Sequence, residues 1–193
     1  MRTGKLQSSA GYEHEYSATW PWSDDSVYYT PVAPTAFINT NLPSGRTIFQ
    51  PFFVPPKGFK PNRLFLQVNP SAYSAGDVRL ALYSDNTGRP DDLIEDLGSQ
   101  SITTTGNKAF IPSFDVQPGR LWVAFNHTGT GAGQFRAFAY GALAGARGLI
   151  GAPGGLAAVT RYVDEDATSG FPASASAVSG SNDHWPIIWM TRV

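Results

Sequence analysis

The sequence predicts an all-β chain, a single antiparallel β-sandwich, and three observations carry that reading. Between Ile48 and Tyr140 apolar residues recur at every second position in short runs, the runs are closed by residues that favour reversal, and no stretch has the period of a helix. Period two places alternate side chains on opposite faces of a strand, so each run buries one face. Any function must then sit on loops or on sheet faces.

Taken in order, residues 1–26 form an N-terminal arm. They are polar, carry Gly4, Gly11 and several serines, and hold Trp20-Pro21-Trp22 where no strand alternation is visible. Such a segment lacks the apolar content to order itself, and lying on another subunit is the simplest way to order it. Trp20 and Trp22 are the expected anchors, with Tyr28 and Tyr29 as further assembly contacts.

The body spans 27–193. Val27-Tyr28-Tyr29-Thr30, Ala36-Phe37-Ile38 and Thr47–Val54 read as edge strands interrupted by prolines. Pro51 has no ladder donor, which puts its strand at an edge or at a bulge. The strongest runs follow: Leu64, Leu66 and Val68 share one face, as do Val78, Leu80 and Leu82, then Leu121, Val123 and Phe125, then Phe135, Ala137 and Ala139. Between them lie Asn69-Pro70-Ser71, Asp85-Asn86-Thr87-Gly88-Arg89-Pro90, Thr105-Gly106-Asn107 and Pro118-Gly119, all turn chemistry. Residues 141–156 and 167–183 are Gly/Ala- and Ser/Ala/Gly-rich loops; the first packs on a neighbour or drapes over one face. Trp185 to Arg192 returns as one central strand, because apolar residues occupy both of its faces.

Those residues carry a resemblance. Phe52-Phe53-Val54-Pro55, Arg63-Leu64, the run Asp77-Val78-Arg79-Leu80-Ala81-Leu82-Tyr83-Ser84-Asp85-Asn86-Thr87-Gly88-Arg89-Pro90, and Gln117-Pro118-Gly119-Arg120-Leu121-Trp122-Val123-Ala124-Phe125 resemble a β-sandwich module of tailed-phage virion proteins, of the tail fibre, head fibre or minor structural protein type. Ala81-Leu82 stand where such modules carry Gly-Ile. Pro186-Ile187-Ile188-Trp189-Met190-Thr191-Arg192 resembles their final strand. The likeness covers about Thr47 to Tyr140 plus the C-terminal strand, and its motifs are structural rather than catalytic. It implies a jelly-roll-like sandwich on the surface of a virion, partnered by other capsid or tail proteins and by copies of itself, commonly as a homotrimer.

Composition narrows the alternatives. Charged residues make up 15% of the chain against a usual quarter, and Gly and Pro number 20 and 15, as suits a loop-rich β protein with many contacts. Net charge is −1 with no run of Lys or Arg, so nucleic acid is not an expected partner. No 18-residue apolar run exists and Met1-Arg2-Thr3-Gly4-Lys5 leads into polar residues, which argues against membrane insertion and a signal peptide. Without cysteine there is neither a disulfide framework nor a thiolate metal site.

A search for chemistry leaves no catalytic residue, metal or cofactor expected. Only His14, His127 and His184 could serve as imidazole bases, and no serine stands in a Gly-x-Ser-x-Gly elbow. The acid pairs Asp24-Asp25, Asp91-Asp92, Glu95-Asp96 and Asp164-Glu165-Asp166 could in principle serve a small glycan hydrolase, yet adjacent acids point apart rather than across a cleft. Asp85-Asn86-Thr87-Gly88 and Asp164-Glu165-Asp166 offer loop oxygens for calcium but lack a complete ligand spacing. The Gly-rich run 141–155 has no Gly-Lys-Ser/Thr ending, so it is no phosphate loop. For an adhesin binding host-surface glycans the candidate rings are Tyr73, expected to be exposed in a loop, and Trp122, out of phase with Leu121 and Val123.

Overall fold

The computed structural model describes residues 4–7, 13–16, 37–54, 61–87, 89–113, 115, 119–139, 161–163, 170–175 and 184–192. Among the described residues every regular element is a strand and every pairing is antiparallel. The assembly contacts expected at Trp20, Trp22, Tyr28 and Tyr29, and the loop 141–156, lie outside the described residues. Within residues 1–26, β1 (Gly4–Gln7) pairs with β2 (Glu13–Tyr16), with Lys5 opposite Glu15. These short strands alternate too few apolar residues to register as a period, which is why sequence reading found no strand there.

Two sheets make the body. The first has the order β11 (Arg161–Val163), β4 (Thr47–Val54), β9 (Gly119–His127), β6 (Asp77–Asp85), β7 (Pro90–Ser101). The second contains β3 (Phe37–Thr40), β10 (Phe135–Ala139), β5 (Pro61–Val68) and β8 (Gly106–Phe110), with β12 (His184–Pro186) and β13 (Trp189–Arg192). The inward faces meet in one core: Ile48, Phe52, Val78, Leu80, Leu82, Leu121, Val123 and Phe125 from the first sheet pack with Leu64, Leu66, Val68, Phe110 and Phe135 from the second. Each large apolar side chain withdrawn from water contributes roughly 1.5–3 kcal/mol, so this layer dominates the stability of the sandwich. The four period-two runs supply most of it.

The C-terminal segment corrects the expectation of one central strand. β5 and β10 pair with each other only at Val68 and Phe135 and then diverge. β12 runs along β10, and β13 runs back along β5 on the side facing β10, so the chain folds as a V into the fork. Pro186, Ile187 and Ile188 are buried at its apex, where the Ile187 N–H donates to the Arg136 carbonyl at 2.9 Å. Consecutive buried residues at a reversal look like a strand that is apolar on both faces. The segment is thus two short strands, each with one described neighbour, rather than one continuous central strand.

Pro51 is accommodated as its chemistry requires. β11 pairs only with Thr47–Phe49, so among the described strands β4 is an edge by the time it reaches Pro51. The long edge strand β7 is guarded by Asp91, Asp92, Glu95 and Asp96 and by shifts in its register with β6. On β8, also an edge among the described strands, Lys108 is 8% exposed and its Nζ donates to Thr104 Oγ1 at 2.8 Å. Burial lowers its pKa. Charges placed at edges in this way discourage strand addition by other chains.

The β6–β7 hairpin closes on reciprocal bonds between Asn86 and Arg89, leaving a two-residue loop whose first member, Thr87, has φ 52°. Asparagine tolerates that left-handed conformation far better than a β-branched residue. Thr87→Asn is expected to stabilise the chain by about 1 kcal/mol, read as a higher urea midpoint at unchanged slope.

Candidate functional site

Two places were singled out by aromatic chemistry, and both are interior. Tyr73 lies in the segment that carries the chain from β5 in one sheet to β6 in the other. That crossover is zipped to the one from β9 to β10: Ser74 N–H donates to Thr130 O, Thr130 N–H to Ala75 O, Gln134 N–H to Ser71 O and Thr128 N–H to Asp77 O, all at 2.9–3.0 Å. Glycines let the two backbones close around the ring. A Cβ on Gly129 would stand 2.5 Å from Tyr73 Cδ1, and one on Gly133 would stand 2.3 Å from the same ring. Tyr73 is therefore 3% exposed, not the solvent-facing ring expected, because residues more than fifty positions away have no side chain to keep it out. Burial pushes its phenol up to about 12, opposed by the Leu42 backbone. Among the described residues the hydroxyl has no hydrogen bond of sound geometry.

Beside it sits His127, the last residue of β9 and wholly buried. Its ring packs on Tyr73, Phe125 and Phe135 with centroids 5.1–5.8 Å away. Nδ1 accepts from the Gly129 N–H at 3.0 Å, which leaves the proton on Nε2 to be donated to Leu42 O at 2.8 Å. Both ring nitrogens are thus satisfied in one neutral tautomer, and the histidine is a structural clasp rather than a base. Burial lowers its pKa, with the Leu42 carbonyl pulling the other way. The sign follows: below the ordinary imidazole value of 6.5 the unfolded chain takes up a proton that the folded chain refuses. Stability is expected to be complete above that pH and to fall on acidification. Urea midpoints measured from pH 8 to 5 should decline for the native chain and decline less for His127→Gln.

Trp122 faces outward from the first sheet, as its phase requires, yet it is 1% exposed. On that face Phe49, Ala81, Tyr83, Trp122 and Ala124 form a second apolar cluster, and Phe171 closes it. Trp122 Nε1–H donates to Asp85 Oδ1 at 2.7 Å, Phe49 meets Tyr83 edge-on at 5.2 Å, and Phe171 meets Tyr83 edge-on at 6.4 Å. Gly170–Ala175 lies across the sheet as a strap. Leu93 N–H donates to Ala173 O, Ala175 N–H to Asp91 O, Ser174 Oγ to Asp92 Oδ1 and Tyr83 OH to Pro172 O. Nothing local marks a Ser/Ala/Gly-rich loop as a cover; Phe171-Pro172 was its only large apolar signal. Trp122, like Tyr73, offers no open platform in this structure.

The acid pairs of β7 make surface hydrogen bonds rather than facing each other across a cleft. Asp96 pairs with Arg79 at 3.0 Å and caps Gly98 N–H, Glu95 receives the Ser113 N–H on both oxygens at 3.1 Å, and Asp92 holds Ser174. Asp24-Asp25 and Asp164-Glu165-Asp166 lie outside the described residues. Among the described residues no three His, Asp or Glu side chains gather as a metal site, and no helix is long and apolar enough to cross a membrane. One aromatic pair escaped sequence reading: Phe65, out of phase with Leu64 and Leu66, stacks on Trp189 at 5.2 Å and 19° on the outer face of the second sheet, both rings only partly buried. The phase of Phe65 was the available signal.

The class that this geometry defines is an antiparallel β-sandwich with a strap across the outer face of its first sheet. No protein-family model matches the chain, and no curated protein matches it.

Proposed function

We propose that the chain is a non-enzymatic structural protein of a tailed-phage virion, held to capsid or tail through its N-terminal arm and displaying the sandwich on the particle surface. The observation that carries this reading is where the phage-like residues fall. Asp77–Pro90 forms β6 and the turn into β7, and Gly119–Phe125 lies in β9, the neighbour of β6. Their side chains fill both faces of the central strands, so the shared pattern is a framework and not a reaction site. The chain also alternates between sheets along β3 to β6 and β7 to β11, in orders β3-β10-β5-β8 and β4-β9-β6-β7, which supports the jelly-roll form of sandwich used by many viral shells. Fold alone does not assign a role, and the particle does.

In this reading Trp20, Trp22, Tyr28 and Tyr29 fasten the arm to a neighbouring subunit and the protein acts as an oligomer, a trimer by the family's habit. Deleting residues 1–26 is the test. Loss of the protein from assembled particles, with an unchanged melting temperature of the body, is expected; normal incorporation of the truncated chain would refute attachment through the arm.

A further inference from the structure

The outer face of the first sheet carries a polar row next to its aromatic cluster. Arg79 on β6 is opposite Asn126 on β9, and the register that pairs Ile48 with Phe125 sets Thr47 of β4 beside Asn126. Thr47 shares the parity of Phe49 and Asn126 that of Trp122 and Ala124, so both side chains belong to this face. Asn126 is 0% and Thr47 2% exposed. Among the described residues Asn126 Oδ1 and Nδ2 and Thr47 Oγ1 have no hydrogen-bond partner.

Polar atoms buried without a partner cost a sizeable share of the small margin by which a domain is stable, and here there are three. Something must satisfy them. Arg79 is already paired with Asp96, so the row presents no uncompensated charge and its complement is neutral. The complement must also both donate and accept, and it must reach Asn126 and Thr47, which are themselves closed to bulk solvent while Arg79 beside them is partly exposed. Gln50, wholly buried with neither carboxamide atom bonded among the described residues, poses the same demand alone; the outer row poses it with two side chains that are neighbours across the ladder.

We propose that Asn126 and Thr47 form an internal hydration site. One ordered water accepts from Asn126 Nδ2 and shares a hydrogen bond with the Thr47 hydroxyl, and a second donates to Asn126 Oδ1. Water is the small neutral group that buried polar atoms of this kind recruit, with two to four bonds each. The outer face is then built in two parts, a dry aromatic row under Phe171 and a wet row beside it.

The direct test is water-selective nuclear Overhauser spectroscopy, in laboratory and rotating frames, on the full-length chain labelled at asparagine side chains. Cross-peaks from the Asn126 amide protons to water, with the sign of a contact lasting longer than nanoseconds, are expected. Cross-peaks to protein protons alone would overturn the site. A mutant cycle adds a second readout. Asn126→Leu should lower the melting temperature, and adding Thr47→Val should restore part of the loss, because no polar atom is then left to hydrate. Strictly additive losses would contradict a shared site, and if the leucine variant fails to fold the spectrum of the native chain still decides.

Discussion

Gly76→Ala is expected to cost about 4 kcal/mol or more, enough to leave much of the chain unfolded at ambient temperature. Two independent causes converge on that position. Its φ of 110° is one that residues with a side chain rarely adopt. A Cβ there would also stand 2.7 Å from Gly129 Cα and from Thr128 O. Those atoms are backbone and cannot swing aside, and both strands of the crossover are fixed by the hydrogen bonds that flank them, including Ile102 N–H to Gly76 O at 3.1 Å. Gly45→Ala is the control, since Gly45 has φ 74° but nothing within 4 Å of the added carbon. It should cost only the backbone term, about 1–2 kcal/mol. Urea denaturation separates the two, and near-equal midpoints would show that the two crossovers are not packed as described.

Trp122→Ala is the second large effect, about 3–5 kcal/mol. The substitution empties the centre of the outer cluster, removes the donor held by Asp85 Oδ1 and takes away part of the floor on which Phe171 rests. For a chain of this length that corresponds to a fall of roughly 6–20 °C in melting temperature. Trp122→Phe keeps a ring but not the N–H that Asp85 Oδ1 accepts, so it should lose less, about 1–3 kcal/mol. A tryptophan displayed to a ligand would give a different pattern: truncation would weaken binding and leave the melting temperature where it was.

What the sequence disclosed, and what it did not, follows from the range of the interactions. Leu64-Leu66-Val68 and Leu121-Val123-Phe125 announced their strands because alternation is a local consequence of the pleat. Pro51 announced an edge because its missing donor is a property of one residue. Tyr73 was misread because the space that buries it belongs to Gly129 and Gly133, whose contribution is the lack of a side chain and leaves no apolar signal. Trp122 was correctly placed out of phase with the core, but its cover comes from Phe171, 49 positions later. The V of the C-terminal segment was hidden for a related reason. Pro186, Ile187 and Ile188 are apolar whether they continue a strand or turn at a fork, and only the divergence of β5 from β10 tells the two apart. His127 showed its position at a strand end and not its burial, since its partners Leu42 and Tyr73 come from other loops.

A structural role on a virion requires that the chain be part of the particle. Lysine-directed cross-linking and mass spectrometry of purified, density-banded phage particles address that most directly, because Lys5 lies on β1, inside the segment proposed to attach. The chain should be present in fixed stoichiometry, with Lys5 joined to other copies or to a capsid or tail protein. Absence from the particles, or cross-links from Lys5 confined to its own chain in a monomeric protein, would contradict the assignment.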